Sequence, residues 1–299
     1  MQALLIDSKH MKNSSIIYQL SAILLFTIVT SCNPNYDMPG MFNGSSVRAD
    51  KRFDQSMAYN EAHGYTHLYV PEDYRIYVGT DTHVDSTMYN WTTFLNAYTS
   101  DPTAPFALHL GDLVNADSNH DPFFASLPKN DTVFFAVGNH DLYFNQWETY
   151  RKHVPTSTYW FDTRRIDGTP LDLFICVDSG EGTLGVEPMK WLKATLAEKS
   201  TEGYRHIVVF SHTHMFKQDD SQGHTSNYPI EETYDLTSLF TKYHVTAYWA
   251  GHDHSREVTH YGGVTYIVVD ALLDPAEKPF YMIASMGKQI VYDFVAVKK

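Results

Sequence analysis

Thr132-Val-Phe-Phe-Ala-Val137 runs directly into Gly138-Asn139-His140-Asp141, and this junction sets how the rest of the chain is read. An unbroken run of apolar and β-branched residues suits a strand buried on both faces, as in the parallel sheets of α/β folds. Asn139, His140 and Asp141, at its end, are polar and of metal-ligand type. The same junction recurs along the chain. Arg75-Ile-Tyr-Val78 leads into Gly79-Thr-Asp81-Thr-His83, and Phe106-Ala-Leu-His-Leu110 into Gly111-Asp112. Ile207-Val-Val-Phe210 leads into Ser211-His212-Thr-His214, and Val245-Thr-Ala-Tyr-Trp249 through Ala250 into Gly251-His252-Asp253-His254. In open α/β sheets ligands bind beyond the carboxyl ends of the strands, so residues distant in sequence can converge there. A glycine ahead of the ligand lets the chain turn sharply out of the strand.

Between and beyond these junctions, Leu173-Phe-Ile-Cys-Val177 reads as a further strand, and helical spacing covers 87–98, 187–198 and 236–243. Glu187-Pro188 suits a helix start, where proline is tolerated. The tail from Val264, with Gly262-Gly263 before it and Gly287 later, reads as hairpin strands. Tyr65, Tyr69 and Tyr74 suit core or edge-strand packing, with lining of a substrate pocket as the other reading.

Imidazole and carboxylate together suit Zn, Fe, Mn or Co, whereas carboxylates alone suit Ca or Mg. Asp81, His83, Asp112, Asn139, His212, His252 and His254 are too many for one tetrahedral ion. Two ions sharing a carboxylate would use them all, at the roughly 3.5–4 Å spacing of two-metal hydrolytic sites. Taken singly, Asp112 is a turn or cap residue and Asn139 a turn residue. Their place in an ordered set reverses that reading. His109 lies inside an apolar run and reads as a strand histidine, Asp253 shapes its loop, and Asp141 either orients His140 or caps a helix.

The set resembles the calcineurin-like metallophosphoesterase family, whose blocks run Asp-x-His, Gly-Asp, Gly-Asn-His-Asp/Glu, His and Gly-His-x-His. All occur here in order, from Asp81 to His254. The resemblance implies a four-layer α/β/β/α sandwich, two mixed β-sheets flanked by helices. It implies that Asp81, His83 and His254 hold one divalent ion (Mn, Fe, Zn or a mixture), that Asp112 bridges, and that Asn139, His212 and His252 hold a second. His140 would then be the catalytic residue, donating a proton to the leaving oxygen or a hydrogen bond to phosphate. Asp178-Ser179 ahead of Lys190-Trp191-Leu192 resembles another family stretch. Departures narrow the choice. Purple acid phosphatases carry a tyrosine three residues after the bridging Asp, where this chain has Asn115, and the Asp-Arg-Gly of Ser/Thr protein phosphatases is missing after Gly111-Asp112. The fourth block, with His214 where the family has proline, is the weakest match.

The 299 residues carry 22 Lys+Arg against 35 Asp+Glu, a net charge of -13 that disfavours nucleic acid as a partner. The two cysteines exclude a disulfide framework. Residues 1–31 read as a signal peptide: the apolar stretch 16–30 comes after Lys9 and Lys12, and residues 1–10 look like a mis-assigned start ahead of Met11. Val29-Thr30-Ser31-Cys32 resembles the bacterial lipoprotein signal, with Cys32 acylated. Removing 1–31 takes away Asp7, Lys9 and Lys12 and leaves -14. Residues 32–50 read as a lipid-anchored tether and 51–299 as the metallophosphoesterase domain, exported to the cell envelope. Cys176, within an apolar strand, reads as a buried thiol. The function expected is hydrolysis of small phosphomonoesters or phosphodiesters by a metal-bound hydroxide at a dinuclear centre, without a covalent intermediate. The alternative is a catalytically silent metal- or phosphate-binding surface lipoprotein on the same fold. A serine hydrolase is disfavoured, since Ser179 and Ser211 lack flanking glycines on both sides.

Overall fold

The strands that carry the ligand-type residues lie in two sheets. The computed structural model describes residues 47–130, 132–219, 223–225, 228–274 and 278–298. Residues 1–31, Cys32 and most of the stretch read as a tether lie outside the described residues. The first sheet is built from β2 (Tyr74–Gly79), β3 (Phe106–His109), β4 (Thr132–Phe135), β13 (Phe280–Met286) and β14 (Ile290–Ala296), in the order β14-β13-β2-β3-β4. Its β2, β3 and β4 are parallel, and the β13–β14 hairpin adds antiparallel to β2.

The second sheet contains β1 (Thr66–Tyr69), β5 (Tyr159–Arg164), β6 (Pro170–Cys176), β7 (His206–Phe210), β10 (Ala247–Ala250), β11 (Glu257–Tyr261) and β12 (Val264–Val268), in the order β1-β5-β6-β7-β10-β12-β11. Here β6, β7, β10 and β12 run parallel to one another. Strands β8 (Lys217–Asp219) and β9 (Gly223–Thr225) form a separate ribbon. The β11–β12 turn is Gly262-Gly263 with both φ positive, the two-residue hairpin that the glycine pair announces.

Alternation along each strand sorts the side chains into three apolar layers. Ile76, Val78, Phe106 and Leu108 of the first sheet meet Phe161, Phe174, Val208, Phe210 and Trp249 of the second in one core between the sheets. The opposite faces, with Tyr77, Ala107 and Phe135, pack on α2 (Tyr89–Thr99), through Trp91, Phe94 and Tyr98, and on α4 (Trp147–His153), through Trp147 and Tyr150. On the far side Leu173, Val209 and Tyr248 pack on α5 (Val186–Lys199) and α6 (Ile230–Lys242) through Leu192, Leu196, Leu236 and Phe240. The result is the expected sandwich of two mixed sheets between helices. Strands buried on both faces, such as β3 and β7, have sequences that are apolar nearly throughout rather than alternating.

Three elements had no range assigned from the sequence. Helix α1 (Ala49–His63) begins two residues inside the segment read as tether; its buried residues, Ala49, Arg52, Phe53, Ser56 and Asn60, have helical spacing but are mostly polar. A short α3 (His120–Ala125) precedes β4, and β1 lies at the edge of its sheet, where Tyr69 is exposed while Tyr74, at the start of β2, is buried. Among the described residues no helix is long and apolar enough to cross a membrane. Cys176 is fully buried.

Candidate metal centre

The ends of β2, β3, β4, β7 and β10 bring their polar residues to one place. Asp81, His83, Asp112, His252 and His254 all have positive φ, between 41° and 72°. Left-handed backbone is uncommon outside glycine and persists where the surroundings over-determine it. Five of these ligand-type residues therefore hold strained conformations at the carboxyl edge of the sheets. The glycines act differently from a simple turn. Gly111 is left-handed (φ 99°), but Gly138 and Gly251 make room: a Cβ on Gly138 would collide with Asp112, and one on Gly251 with Thr80 and Asp81.

Around Asp81, Oδ1 lies 3.3 Å from His254 Nε2 and 3.8 Å from His83 Nε2, and those two nitrogens are 3.2 Å apart. Asp81 Oδ2 accepts from Thr80 Oγ1 and from the backbone N–H of His252, whereas the buried Oδ1 accepts no hydrogen bond among the described residues. A second cluster forms around His212 Nε2, which is 2.9 Å from Asn139 Oδ1, 3.1 Å from His252 Nδ1 and 3.3 Å from Asp112 Oδ2. His212 Nδ1 donates to Leu110 O, so Nε2 offers its lone pair to the cluster when the ring is neutral. Asp112 Oδ2 also lies 3.6 Å from His83 Nε2, which places one carboxylate oxygen between the two groups. Asp112 Oδ1 accepts from the backbone N–H of His140.

Lone-pair atoms crowded this closely repel unless something positive sits among them. In the bare protein the positive charge is a proton: burial pushes His212 down, but Asp112 and Asp81 outweigh it and hold it at about 9. Burial would raise Asp81 and Asp112, yet the surrounding histidines, His212 foremost, keep both well below the usual carboxylate range. His252 is pushed down to about 3 by burial and by the charge of His212. A site that traps a proton between carboxylates and imidazoles, and leaves a buried carboxylate oxygen without a donor, has the donor set for divalent cations. The residues fit such ions in two groups. Asp81, His83 and His254 form one, Asp112, His212 and His252 the other, with Asn139 Oδ1 also beside the second and Asp112 Oδ2 between them.

His140 sits beside this double cluster. A ring nitrogen of His140 lies within 4.8 Å of ligand atoms of His83 and Asp112, and its ring meets that of His83 edge-on at 4.4 Å. All eight site residues of the sequence reading are thus brought together, and Cys32 lies outside the described residues. Asp141, read as orienting His140 or capping a helix, caps none of the described helices and bonds to backbone. Its carboxylate accepts the backbone N–H groups of Gly138, Asp112 and Leu113, tying the two ligand loops together. Burial, with the charge of Asp112, raises it to about 7. His109 is buried and neutral, pushed by burial down to about 3, with Nδ1 accepting from Gly111 N. His214 is buried with its ring 5.9 Å from that of His252. Ser211 is buried beside Tyr248 OH, and Ser179 Oγ accepts from Thr213 N, so neither is presented as a nucleophile.

Two supporting residues were missed. Asn115 accepts from His83 Nδ1 and donates from Nδ2 to His83 O, fixing the tautomer that turns His83 Nε2 inward. Tyr143 OH accepts from Asn139 Nδ2 at 2.7 Å, which turns Asn139 Oδ1 toward the cluster. The only signals were their spacings, three residues after Asp112 and four after Asn139.

Comparison with known proteins agrees with this architecture. The profile of the calcineurin-like phosphoesterase family matches residues 74–256, which carry every ligand-type residue described above. Among solved structures, a purple acid phosphatase from yellow lupin superposes with a TM-score of 0.56 at 15% identity over 75% of this chain and 52% of its own, so this chain spans about half its length. GAP50, the anchor in the inner membrane complex of Plasmodium, superposes with a TM-score of 0.55 at 16% identity, covering 77% of this chain and 86% of its own. PhoD gives 0.55 at 9% identity over 75% and 69%. At such identities the likeness is one of fold. No match is found among curated proteins. With the family profile spanning more than half of the sequence, the chain belongs to the calcineurin-like phosphoesterase family.

Proposed function

We propose that this chain is a metal-dependent phosphoric ester hydrolase with a dinuclear centre, acting on small phosphomonoesters or phosphodiesters. The observation that carries the reading is the position of Asp112 Oδ2 between two imidazole clusters, with His140 alongside. Divalent ions held there would neutralise phosphate charge and lower the pKa of a coordinated water. The chain's own residues supply the rest. Asp81, His83 and His254 are assigned to one ion, Asn139, His212 and His252 to the other, and Asp112 to both. Asn115 and Tyr143 keep the lone pairs of His83 and Asn139 aimed inward. His140, whose backbone N–H donates to Asp112 Oδ1, would donate a proton to the leaving oxygen or a hydrogen bond to phosphate.

The acidic charge supports small substrates over nucleic acid. The apolar stretch 16–30 and the Val29-Thr30-Ser31-Cys32 pattern support export and anchoring through acylated Cys32 at the cell envelope. A silent binding protein on the same fold is the rival, and the likeness to an anchor protein favours it. Retention of His140, which metal binding alone does not require, favours the enzyme. The test is hydrolysis of aryl phosphate mono- and diesters by the full chain in detergent, loaded with Mn2+ or Zn2+, beside His140→Ala. Metal-dependent turnover that falls about a hundredfold or more in the variant supports the enzyme. Two bound ions with no turnover of either ester supports the silent protein.

A further inference from the structure

After β12 the chain crosses from the carboxyl end of β10 to that of β2. Val269 N donates to Ala250 O at 2.8 Å and Leu272 N to Thr80 O at 2.9 Å, so Asp270 and Ala271 run from the residue before Gly251 to the residue before Asp81. Burial raises the Asp270 carboxyl, and the charges of Arg256, His254 and Asp81 all act on it, so it stands within electrostatic reach of the Asp81 group. Phe280 comes to the same edge. Strand β13 is antiparallel to β2 with Met282 opposite Val78, and that register carried two residues on sets Phe280 level with Thr80.

Arg256, two residues after His254, is anchored on both. Its Nε lies 3.4 Å from Asp270 Oδ2, and its Cζ lies 3.6 Å from the centre of the Phe280 ring. A carboxylate at one edge and an aromatic face beneath fix the guanidinium plane. The side chain is still 43% exposed, and among the described residues its ion pair uses Nε, which leaves the two terminal nitrogens as donors. This is also the side on which the Asp81 group opens to solvent: the side chain of His254 is 40% exposed, against 0% for Asp81 and 5% for His83. We infer that Arg256 is a specificity residue that binds a second anionic group of the substrate, making the centre prefer phosphate monoesters whose alcohol carries a carboxylate or a further phosphate. The guanidinium offers a planar fork that matches either anion. In a chain of net charge -13, a braced cation beside the opening is the group to which a doubly anionic ester would be drawn. This inference rests on the phosphoesterase reading above.

The test uses two matched pairs on the Mn2+-loaded full chain in detergent: 2-phosphoglycolate with ethyl phosphate, and propane-1,3-diol bisphosphate with propyl phosphate. The proteins are the parent, Arg256→Gln, Arg256→Lys and Arg256→Gln/Asp270→Asn. The expected result is that the preference for the doubly anionic member, as kcat/KM, falls about tenfold or more in Arg256→Gln, chiefly through KM, in at least one pair. The pair with the larger fall identifies the second anion as carboxylate or phosphate. Arg256→Lys should keep part of the preference, and calorimetric binding of 3-phosphonopropionate against propylphosphonate should follow the carboxylate pair. The double variant separates recognition from repulsion by a stranded Asp270. Loss that persists there supports direct recognition, and a preference restored there overturns it. An unchanged preference in Arg256→Gln for both pairs, or an equal fall on both members of each, overturns the inference and leaves the phosphoesterase reading standing. Hydrolysis of none of the four esters by the metal-loaded parent overturns that reading and this inference with it.

Discussion

Arg52 is fully buried in α1, and its guanidinium makes a two-point pair with Asp178: Nε to Oδ2 at 2.8 Å and Nη2 to Oδ1 at 3.0 Å. Asp178 itself is 1% exposed. Its other partners are Ser157 Oγ and Gly180 N, which cannot neutralise a charge. Replacing Arg52 by Met keeps the volume of the stem and strands the carboxylate, a situation that costs about 3–5 kcal/mol. At about 2–4 °C per kcal/mol for a domain of this size, the melting temperature should fall by roughly 6–20 °C. The double variant Arg52→Met/Asp178→Asn removes both charges and should recover more than half of the loss. The effect should reach the metal centre, because Ser179, next to Asp178, holds both the backbone N–H and the hydroxyl of Thr213, the neighbour of His212. Arg52→Met should therefore also weaken metal binding, while leaving the catalytic pH profile unmoved. Equilibrium denaturation of the three proteins, with metal affinity by calorimetry, is the assay. A loss below about 1 kcal/mol in Arg52→Met, or a double variant less stable than the single, would show that the pair does not carry this stability.

Asn115→Ala frees the His83 tautomer and should weaken metal binding by about 10–100-fold, measured by competition with a chelator, without altering the far-UV circular dichroism. Asp112→Ala removes the oxygen shared by the two clusters and should reduce bound metal below two ions per chain by elemental analysis. Chelated protein should be most stable near the ordinary histidine pKa of about 6.5. Below that, His109 and His252, depressed to about 3, stay unprotonated while the unfolded chain takes up protons, so stability falls as pH falls. Asp141, raised to about 7, opposes them with one proton. At higher pH the stabilisation from His212, raised to about 9, is lost as pH climbs through that value. Thermal melts from about pH 5 to about pH 9.5 check this, and stability rising steadily to about pH 9 would contradict it. Saturating metal should flatten the upper limb, since cations take the place of the His212 proton.

Parts of this molecule were open to reading because they obey local rules. Phe106-Ala-Leu-His and Ile207-Val-Val-Phe are strands because both faces are buried, and an apolar run records that directly. Gly262-Gly263 announces its hairpin. Helix α1 was not legible, since its inward face carries Arg52, Ser56 and Asn60, whose burial depends on Asp178, Ser157 and Thr158, all distant in sequence. Asp141 shows the same limit within a motif. Its residue type and position were plain, but its bonds run to Asp112 and Leu113 on a neighbouring loop.

Which chemistry is present was already written along the chain: seven ligand-type residues and His140 in family order, placed at strand ends where an α/β sheet exposes its carboxyl edge. Ligand type and strand identity are local properties, so they can be read without coordinates. Folding in three dimensions settled which backbones are left-handed at these positions, that Asp112 Oδ2 comes within 3.6 Å of His83 Nε2 and 3.3 Å of His212 Nε2, and which residues brace the side chains. Those outcomes depend on distances between strands β2, β3, β4, β7 and β10, and spacing along a chain carries no record of spacing across a sheet.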